Sequence, residues 1–149
     1  MMKRIAIGSD HIGLNHKRFL IEKLTKQGYH IMDMGTFDQE RTDYPIYAHK
    51  VAQAINTENA EAGILICGTG VGISIAANKI AGIRCALCAD EFTALMCREH
   101  NNANIIAFGA NIISPEKALA LATLWLNTAY DGGRHQKRLD MIAGFERVS

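Results

Sequence analysis

Short apolar segments alternate with helix-length segments along the chain. We predict strands at residues 3–8, 29–33, 62–67, 83–89 and 104–109. Helices are predicted at 13–27, 46–56, 91–100, 115–127 and 134–146, and a further helix ends near residue 79. Alternating strands and helices form βαβ units, and the third strand is apolar on both faces, as buried parallel strands are. The pattern predicts an α/β fold: a three-layer αβα sandwich around a five-stranded parallel Rossmann-like sheet.

Local signals mark several of the predicted helix ends. Gly28 follows the first helix, in the position where glycine commonly ends one. Ser114 is a predicted N-cap, followed by Pro115 at the first helical position and Glu116 in the first turn. Pro45 lies at the end of the polar loop that precedes the second helix.

The composition is that of one globular domain spanning residues 1–149. A net charge of +1 gives no general attraction to nucleic acid or to an anionic membrane. The longest apolar stretch has nine residues, whereas a membrane-spanning helix needs about 20. No secretory signal is recognised, so we expect a soluble cytoplasmic protein with reduced thiols.

Two of the four cysteines, Cys85 and Cys88, form a CxxC pair. Because both lie in a predicted strand, their side chains should point to opposite faces of the sheet. No second Cys or His pair has the spacing of a zinc site. We therefore interpret them as structural cysteines and expect no metal.

The third strand ends in the sequence Cys67-Gly68-Thr69-Gly70-Val71-Gly72. Ligands of open parallel sheets bind beyond the carboxyl ends of the strands, and a glycine-rich turn before a helix is suited to an anion. The sequence after the last glycine, Ile73-Ser74, matches neither the Walker pattern nor the dinucleotide pattern. Asp90 keeps a weak dinucleotide alternative open, and a plain tight turn is the alternative without a ligand.

Cys67 has the surroundings of a reactive thiol, at a strand end that faces a helix N-terminus. It is a candidate nucleophile, redox centre or carbon-acid base. A redox centre usually needs a nearby partner thiol, and none is local; a thiol hydrolase with His100 as its base remains open. If Cys67 is a base, the loop amides would stabilise an enediolate and Thr69 would donate a further hydrogen bond.

Polar residues elsewhere are candidates for the same site. Asp10 and His11 follow the first strand, and His100-Asn101 ends the fourth helix. Arg134 and Arg138 share one face of the last helix, about 6 Å apart, an arrangement that suits a phosphate. Taken singly, His100 could be a helix cap, and Arg134 and Arg138 could belong to a solvated basic helix end.

The chain resembles the B-type ribose-5-phosphate isomerases, in a family shared with galactose- and allose-6-phosphate isomerases. The matching motifs, in chain order, are IAIGSDH at 5–11, RTDYP at 41–45, GILICGTGVGISIAAN at 63–78, REHNN at 98–102 and GGRH at 132–135. The resemblance covers essentially the whole chain. It implies interconversion of ribose 5-phosphate and ribulose 5-phosphate through a cis-enediolate, without metal or cofactor.

The resemblance also implies a role for each candidate residue. Cys67 is the base, residues 68–72 supply the amides that hold the enediolate, and Thr69 assists. The other implied roles are ring opening by His100, contacts to the ring hydroxyls by Asp10 and Asn101, and phosphate binding by His11, Arg134 and Arg138. A homodimer or dimer of dimers is implied, with the helix at 134–146 at the interface and its arginines serving the neighbouring subunit.

One position departs from the family pattern. Asn111 stands where many relatives carry arginine, so it can hydrogen-bond a phosphate but adds no charge. A hexose 6-phosphate isomerase (for allose or galactose 6-phosphate) is therefore the alternative within the class. A non-enzymatic phospho-ligand-binding module is the alternative outside it, although Cys67 and Asp10 replace the residues that receiver domains and flavodoxins need.

Overall fold

The structure, a computed structural model, describes residues 2–146. Its strands are β1 (Arg4–Ser9), β2 (His30–Asp33), β3 (Ala62–Cys67), β4 (Cys85–Leu87) and β5 (Ile105–Gly109). Its helices are α1 (Leu14–Lys26), α2 (Tyr44–Asn56), α3 (Val71–Asn78), α4 (Glu91–Glu99), α5 (Pro115–Leu126) and α6 (Arg134–Phe145).

All five strands are parallel, and their spatial order is β2-β1-β3-β5-β4. The predicted α/β sandwich around a parallel sheet is confirmed. The middle strand, β3, is buried along its whole length, as its continuous apolar sequence predicts. Cys67 is the last residue of this strand, so the most protected element of the sheet fixes its position.

Each face of the sheet packs against its own helices. On one face, Ile64 and Ile66 of β3 pack with Trp125 of α5 and with buried residues of α1 and α4. On the other face, Leu65 and Cys67 pack against α2 and α3. Cys67 is therefore directed towards the helix layer that contains α3, whose first turn follows the glycine-rich loop.

The cysteine pair behaves as the sequence predicts. Cys85 packs on the face of the sheet covered by α2 and α3, and Cys88 packs on the opposite face. All four cysteines are free. Burial, together with the nearby Cys88, raises the pKa of the Cys85 thiol to about 12, so this thiol is a packing group rather than a reactive one.

The predicted boundaries lie within two residues of the observed ones, and two of the differences have clear physical reasons. Pro45 was expected at the end of a loop, but α2 begins at Tyr44 and Pro45 lies in its first turn, where the fixed φ of proline suits a helix. The strand predicted at 83–89 pairs only over Cys85–Leu87, because β4 is an edge strand with one neighbour. Ser114 caps α5 by accepting the N–H of Lys117 at 3.1 Å, as predicted.

Within residues 2–146, every helix is too short or too polar to cross a membrane.

The start of α1 lies against the end of β3. A Cβ atom on Gly13 would come within 2.7 Å of the carbonyl oxygen of Ile66 and within 2.8 Å of its Cγ2. Ile66 immediately precedes Cys67, so glycine at this position lets α1 support the strand end that holds the thiol.

We predict that Gly13→Ala destabilises the protein by about 1–3 kcal/mol, because the added methyl group overpacks a buried backbone contact. The measurement is urea unfolding followed by circular dichroism at one protein concentration. Asn15→Ala, at an exposed position of the same helix, is the matched control and should change stability by less than about 0.5 kcal/mol. Equal stability of the two variants would contradict the prediction.

Candidate active site

Three strands end together around Cys67, at what we call the carboxyl edge of the sheet. β1 lies on one side of β3 and β5 lies on the other. Cys67 is 4% exposed, and its Sγ accepts the backbone N–H of Gly70 at 3.2 Å. A backbone donor aimed at the sulfur is suited to a thiolate, the form in which cysteine acts as a base or nucleophile.

The turn at 68–72, which we call the glycine loop, is compact in a way that only glycine allows. Gly70 has a φ of 78°, and a Cβ on it would lie 2.5 Å from Leu87 Cδ1 and 2.9 Å from the carbonyl carbon of Phe108. The loop therefore folds tightly against β4 and β5, which brings its amides next to the thiol.

The glycine loop leads directly into α3, whose first amides have no carbonyl partner within the helix. Thr69 is exposed, and its Oγ1 accepts the N–H of Val71 at 3.1 Å. The hydroxyl proton of Thr69 remains available to a ligand. The helix terminus and this hydroxyl together form a site for negative charge beside Cys67.

Asp10 and His11 extend the site from the end of β1. Asp10 is buried, and its Oδ1 accepts the N–H groups of Ile12 and Gly13 at 3.0 and 3.1 Å. The carboxylate thus shapes the start of α1 through one oxygen. His11 accepts the N–H of Thr42 on Nδ1 at 3.2 Å, which places the proton of the neutral ring on Nε2.

The segment between β2 and α2, together with the first turn of α2, supplies contacts to which the sequence analysis gives no role. Besides binding His11, Thr42 shares a hydrogen bond with the Tyr47 hydroxyl at 2.7 Å. The ring of Tyr44 lies over Gly72, where a Cβ would meet it at 2.6 Å. Thr42 and Tyr44 belong to the RTDYP motif, and Tyr47 lies just beyond it. The resemblance includes this motif but gives its residues no role.

Asn111 also lies at the carboxyl edge. Its backbone N–H donates to the Gly68 carbonyl at 2.9 Å, and its side-chain Nδ2 is 3.3 Å from the position of a Cβ on Gly68. The amide therefore rests directly on the glycine loop and can interact with a ligand held there.

His100 and Asn101 lie elsewhere, at the amino edge of the sheet. α4 runs back from the carboxyl end of β4, so His100, at its C-terminus, is at the opposite side of the molecule from Cys67. The carbonyl of Asn101 accepts from Nε of Arg84 at 3.1 Å, and Arg84 immediately precedes β4. Since strands rise about 3.3 Å per residue, the two edges are separated by roughly the 17 Å length of β5.

α6, which contains Arg134 and Arg138, lies at the same amino edge. Glu146, just beyond its end, accepts the N–H of Gly82 at 3.1 Å, and Leu139 lines the same cavity as Ile83. Both arginines are exposed, so they present positive charge on the surface next to His100.

The rings of His100 and His135 stack, with centroids 4.2 Å apart and planes inclined by 16°. Burial lowers the pKa of His135, and the positive charges of His100, Arg134 and Arg138 lower it further, while Asp131 opposes them. The ligand atoms of His100, Asp131 and His135 lie within 4.8 Å of one another. However, nearly parallel rings direct their lone pairs side by side rather than to one point, and two arginines adjoin them, so the cluster is poorly arranged for a cation.

One chain therefore builds two separate groups of predicted site residues. The carboxyl edge brings together Asp10, His11, Cys67, the glycine loop and Asn111. The amino edge brings together His100, Asn101, Arg134 and Arg138. A hydrolase pair of Cys67 with His100 does not form within one chain.

Comparison with known proteins gives a consistent result. A family model described as Ribose/Galactose Isomerase matches residues 5–142. The chain is 47% identical over 146 residues to ribose-5-phosphate isomerase B of Escherichia coli (strain K12), covering 98% of each protein. The solved structure of ribose-5-phosphate isomerase B from Clostridium thermocellum superimposes with a TM-score of 0.95 at 46% identity, covering 97% of both chains. The enzyme from Mycoplasma genitalium with bound ribulose-5-phosphate superimposes with a TM-score of 0.92 at 36% identity, covering 98% of this chain and 97% of that one.

The stacked pair gives a prediction for solution titration. His135 should titrate below the ordinary histidine value of about 6.5, because desolvation and neighbouring positive charge both oppose its protonation. In His100→Ala the pKa of His135 should rise, since one positive neighbour is removed. The measurement is the pH dependence of the His135 ring signals by NMR, with His49→Ala as the control that should leave them unchanged. A pKa of His135 that stays fixed or falls in His100→Ala would contradict the geometry.

Proposed function

Because the chain belongs to the ribose/galactose isomerase family, we propose that it interconverts D-ribose 5-phosphate and D-ribulose 5-phosphate through a cis-enediolate, with Cys67 as the base. The observation that carries the proposal is the placement of Cys67 at the end of β3, with the Gly70 N–H on its Sγ at 3.2 Å. The matched structure from Mycoplasma genitalium, which holds ribulose-5-phosphate, supports the choice of substrate.

The carboxyl edge suits the proton transfer. The Cys67 thiolate takes the proton from C2 of the open-chain aldose, and the electron pair moves towards the oxygen on C1. The amides of the glycine loop and the Thr69 hydroxyl stabilise the resulting enediolate. A proton then passes from O2 to O1, and the thiol returns its proton to C1, which gives the ketose.

The amino edge suits the remaining steps. Arg134 and Arg138 can bind a phosphate through charged, bidentate hydrogen bonds. His100 is an acid–base group for opening the sugar ring, and Asn101 offers an amide to the hydroxyls of that ring.

Two residues of the carboxyl edge complete the contacts to the substrate. His11 donates to the phosphate from Nε2, and Asp10 accepts from the ring hydroxyls with its second carboxylate oxygen.

Because these groups lie at opposite edges of one chain, we propose that two copies assemble so that each active site combines the two edges. A twofold dimer would place the amino edge of one copy against the carboxyl edge of its partner and create two equal sites. Exposed apolar side chains adjoin both edges: Val71, Ile75 and Phe92 near the carboxyl edge, and Ile142 and Phe145 on α6. Such surfaces mark protein interfaces in soluble proteins, and a cytoplasmic homodimer remains our expectation.

Asn111 supports one alternative within the same class. Its uncharged amide lies on the glycine loop, where it adds no charge for binding a phosphate. An isomerase for a hexose 6-phosphate is therefore the second candidate, and comparison of kcat/KM for ribose 5-phosphate, allose 6-phosphate and galactose 6-phosphate decides between them.

We predict that Cys67→Ala lowers kcat with ribose 5-phosphate by about 10²–10⁴-fold, the usual contribution of a positioned acid–base group. Substrate binding, measured by calorimetry, should persist because the amides and arginines remain. Cys85→Ala, which removes a thiol of β4 on the same face of the sheet, is the control and should retain activity. The assays contain EDTA. Turnover of Cys67→Ala within tenfold of the unmodified protein would remove the cysteine from the role of base.

The shared site predicts complementation between inactive variants. Cys67→Ala and His100→Ala should each be nearly inactive, whereas an equal mixture that has exchanged subunits should regain about a quarter of the unmodified activity, since half the dimers are mixed and each has one intact site. Mixing Cys67→Ala with the double variant Cys67→Ala/His100→Ala is the control and should restore nothing. No recovery in the first mixture, after mass spectrometry confirms subunit exchange, would contradict a site built from two copies.

A further inference from the structure

We infer that His135 is a positioning residue for ring opening: its imidazole forms the surface against which the ring of His100 is held. The inference rests on the proposed role of His100 as the group that opens the sugar ring. It gives a function to His135, which lies between the two arginines of the proposed phosphate site and has no other assigned role.

The contact between the two rings is close and nearly parallel. Their centroids are 4.2 Å apart, and the planes are inclined by 16°, which is within the range of stacked aromatic side chains. Within residues 2–146, no hydrogen bond holds the ring of His100; its backbone N–H donates to Met96 at 2.8 Å and so ends α4. The stacking contact is therefore what orients the ring.

His135 is much more firmly held than His100. It is 8% exposed, whereas His100 is half-buried. Two glycines with positive φ, Gly132 and Gly133, turn the chain sharply into α6, and the His135 N–H donates to the Gly132 carbonyl at 3.2 Å. One turn further along, Leu139 is buried. These contacts fix the start of α6, and burial restricts the ring of His135.

The groups around the pair disfavour a positive charge on His135. Two stacked imidazolium ions repel each other, so protonation of one ring opposes protonation of the other. Burial lowers the pKa of His135, and His100, Arg134 and Arg138 lower it further. Asp131 acts in the opposite direction. The neutral form of His135 is therefore favoured, and the proton exchange of ring opening is left to His100, as proposed above.

Ring opening needs such an oriented group. The bond between C1 and O4 breaks, the hydroxyl on C1 loses a proton as the carbonyl forms, and O4 gains a proton. An acid–base side chain must lie within hydrogen-bond reach of these oxygens, and small misplacements of a catalytic group can cost about 10²-fold in rate. A flat, neutral neighbour orients the His100 ring without competing for the proton.

The test measures ring opening directly, separately from isomerisation. In the Cys67→Ala protein, where proton transfer at C2 is removed, exchange between the two anomers of ribose 5-phosphate is followed by NMR exchange spectroscopy. Three further variants are made in this background: His135→Ala, His135→Phe and His100→Ala. We expect His135→Ala to slow the enzyme-dependent exchange at least about tenfold, with unchanged affinity for ribose 5-phosphate. His135→Phe should retain exchange within about threefold, because a flat ring still stacks on His100.

Two outcomes would overturn the inference while leaving the role of His100 intact. One is rapid exchange in His135→Ala when His100→Ala has lost it. The other is an equal loss in His135→Phe and His135→Ala, with both variants folded and dimeric by circular dichroism and light scattering. Retained exchange in His100→Ala, or no acceleration by the Cys67→Ala protein itself, would instead contradict the proposed ring-opening role on which the inference rests.

A second readout uses the otherwise unmodified active site. A four-carbon aldose 4-phosphate has no free hydroxyl with which to close a five-membered ring, so its isomerisation needs proton transfer but no ring opening. His135→Ala should lower kcat for ribose 5-phosphate and leave that for the four-carbon aldose phosphate within about threefold, since only the ring-opening step depends on the orientation of His100. An equal fall for both substrates would show a general structural defect and would overturn the positioning role.

Discussion

Every strand of the sheet runs in the same direction, and the helices that follow the strands return in the opposite one. A residue that ends a strand and a residue that ends a helix therefore lie at opposite edges of the molecule. Cys67 ends β3, and His100 follows the last residue of α4. The separation of Cys67 from His100 follows from this geometry, and no local adjustment of side chains brings the two residues together.

At the carboxyl edge, close packing and electrostatics depend on the same backbone turn. Gly70 adopts a positive φ and lies against β4 and β5, where a side chain would collide with Leu87 and Phe108. That turn aims the Gly70 N–H at the sulfur of Cys67 and starts α3 beside it. The donors around the thiol are thus part of the backbone of a buried layer, which keeps them in place before any substrate binds.

The strand and helix pattern could be predicted because the periodicity of apolar residues reflects burial on both faces of the sheet. The glycine loop could be predicted as an anion site because its sequence follows a buried strand directly. The location of His100 also follows from the predicted order of elements, but the resemblance gives His100 its role without stating which copy of the chain provides it.

Other features depend on contacts that sequence periodicity does not encode. The backbone N–H of Thr42 donates to His11 Nδ1 across 31 positions of sequence. Because every residue type except proline has a backbone N–H, the identity of residue 42 does not reveal this bond. His135 lies among basic residues that suggest phosphate binding, whereas its stacking on His100 depends on how the chain turns at Gly132 and Gly133. Such contacts are set by tertiary packing and become visible only when the elements are placed together.

In the proposed dimer, each edge is organised before the two meet. The carboxyl edge has its thiol and amides fixed by β3 and α3, and the amino edge has His100 held against His135 beside two arginines. Assembly then brings together groups whose backbone positions are already set, which limits the conformational entropy lost when the substrate binds. The arginines can remain exposed and hydrated in the separate chain, because they face a ligand only across the interface. Separating the halves thus avoids placing a buried cluster of positive charge within one small domain, where desolvation would oppose it.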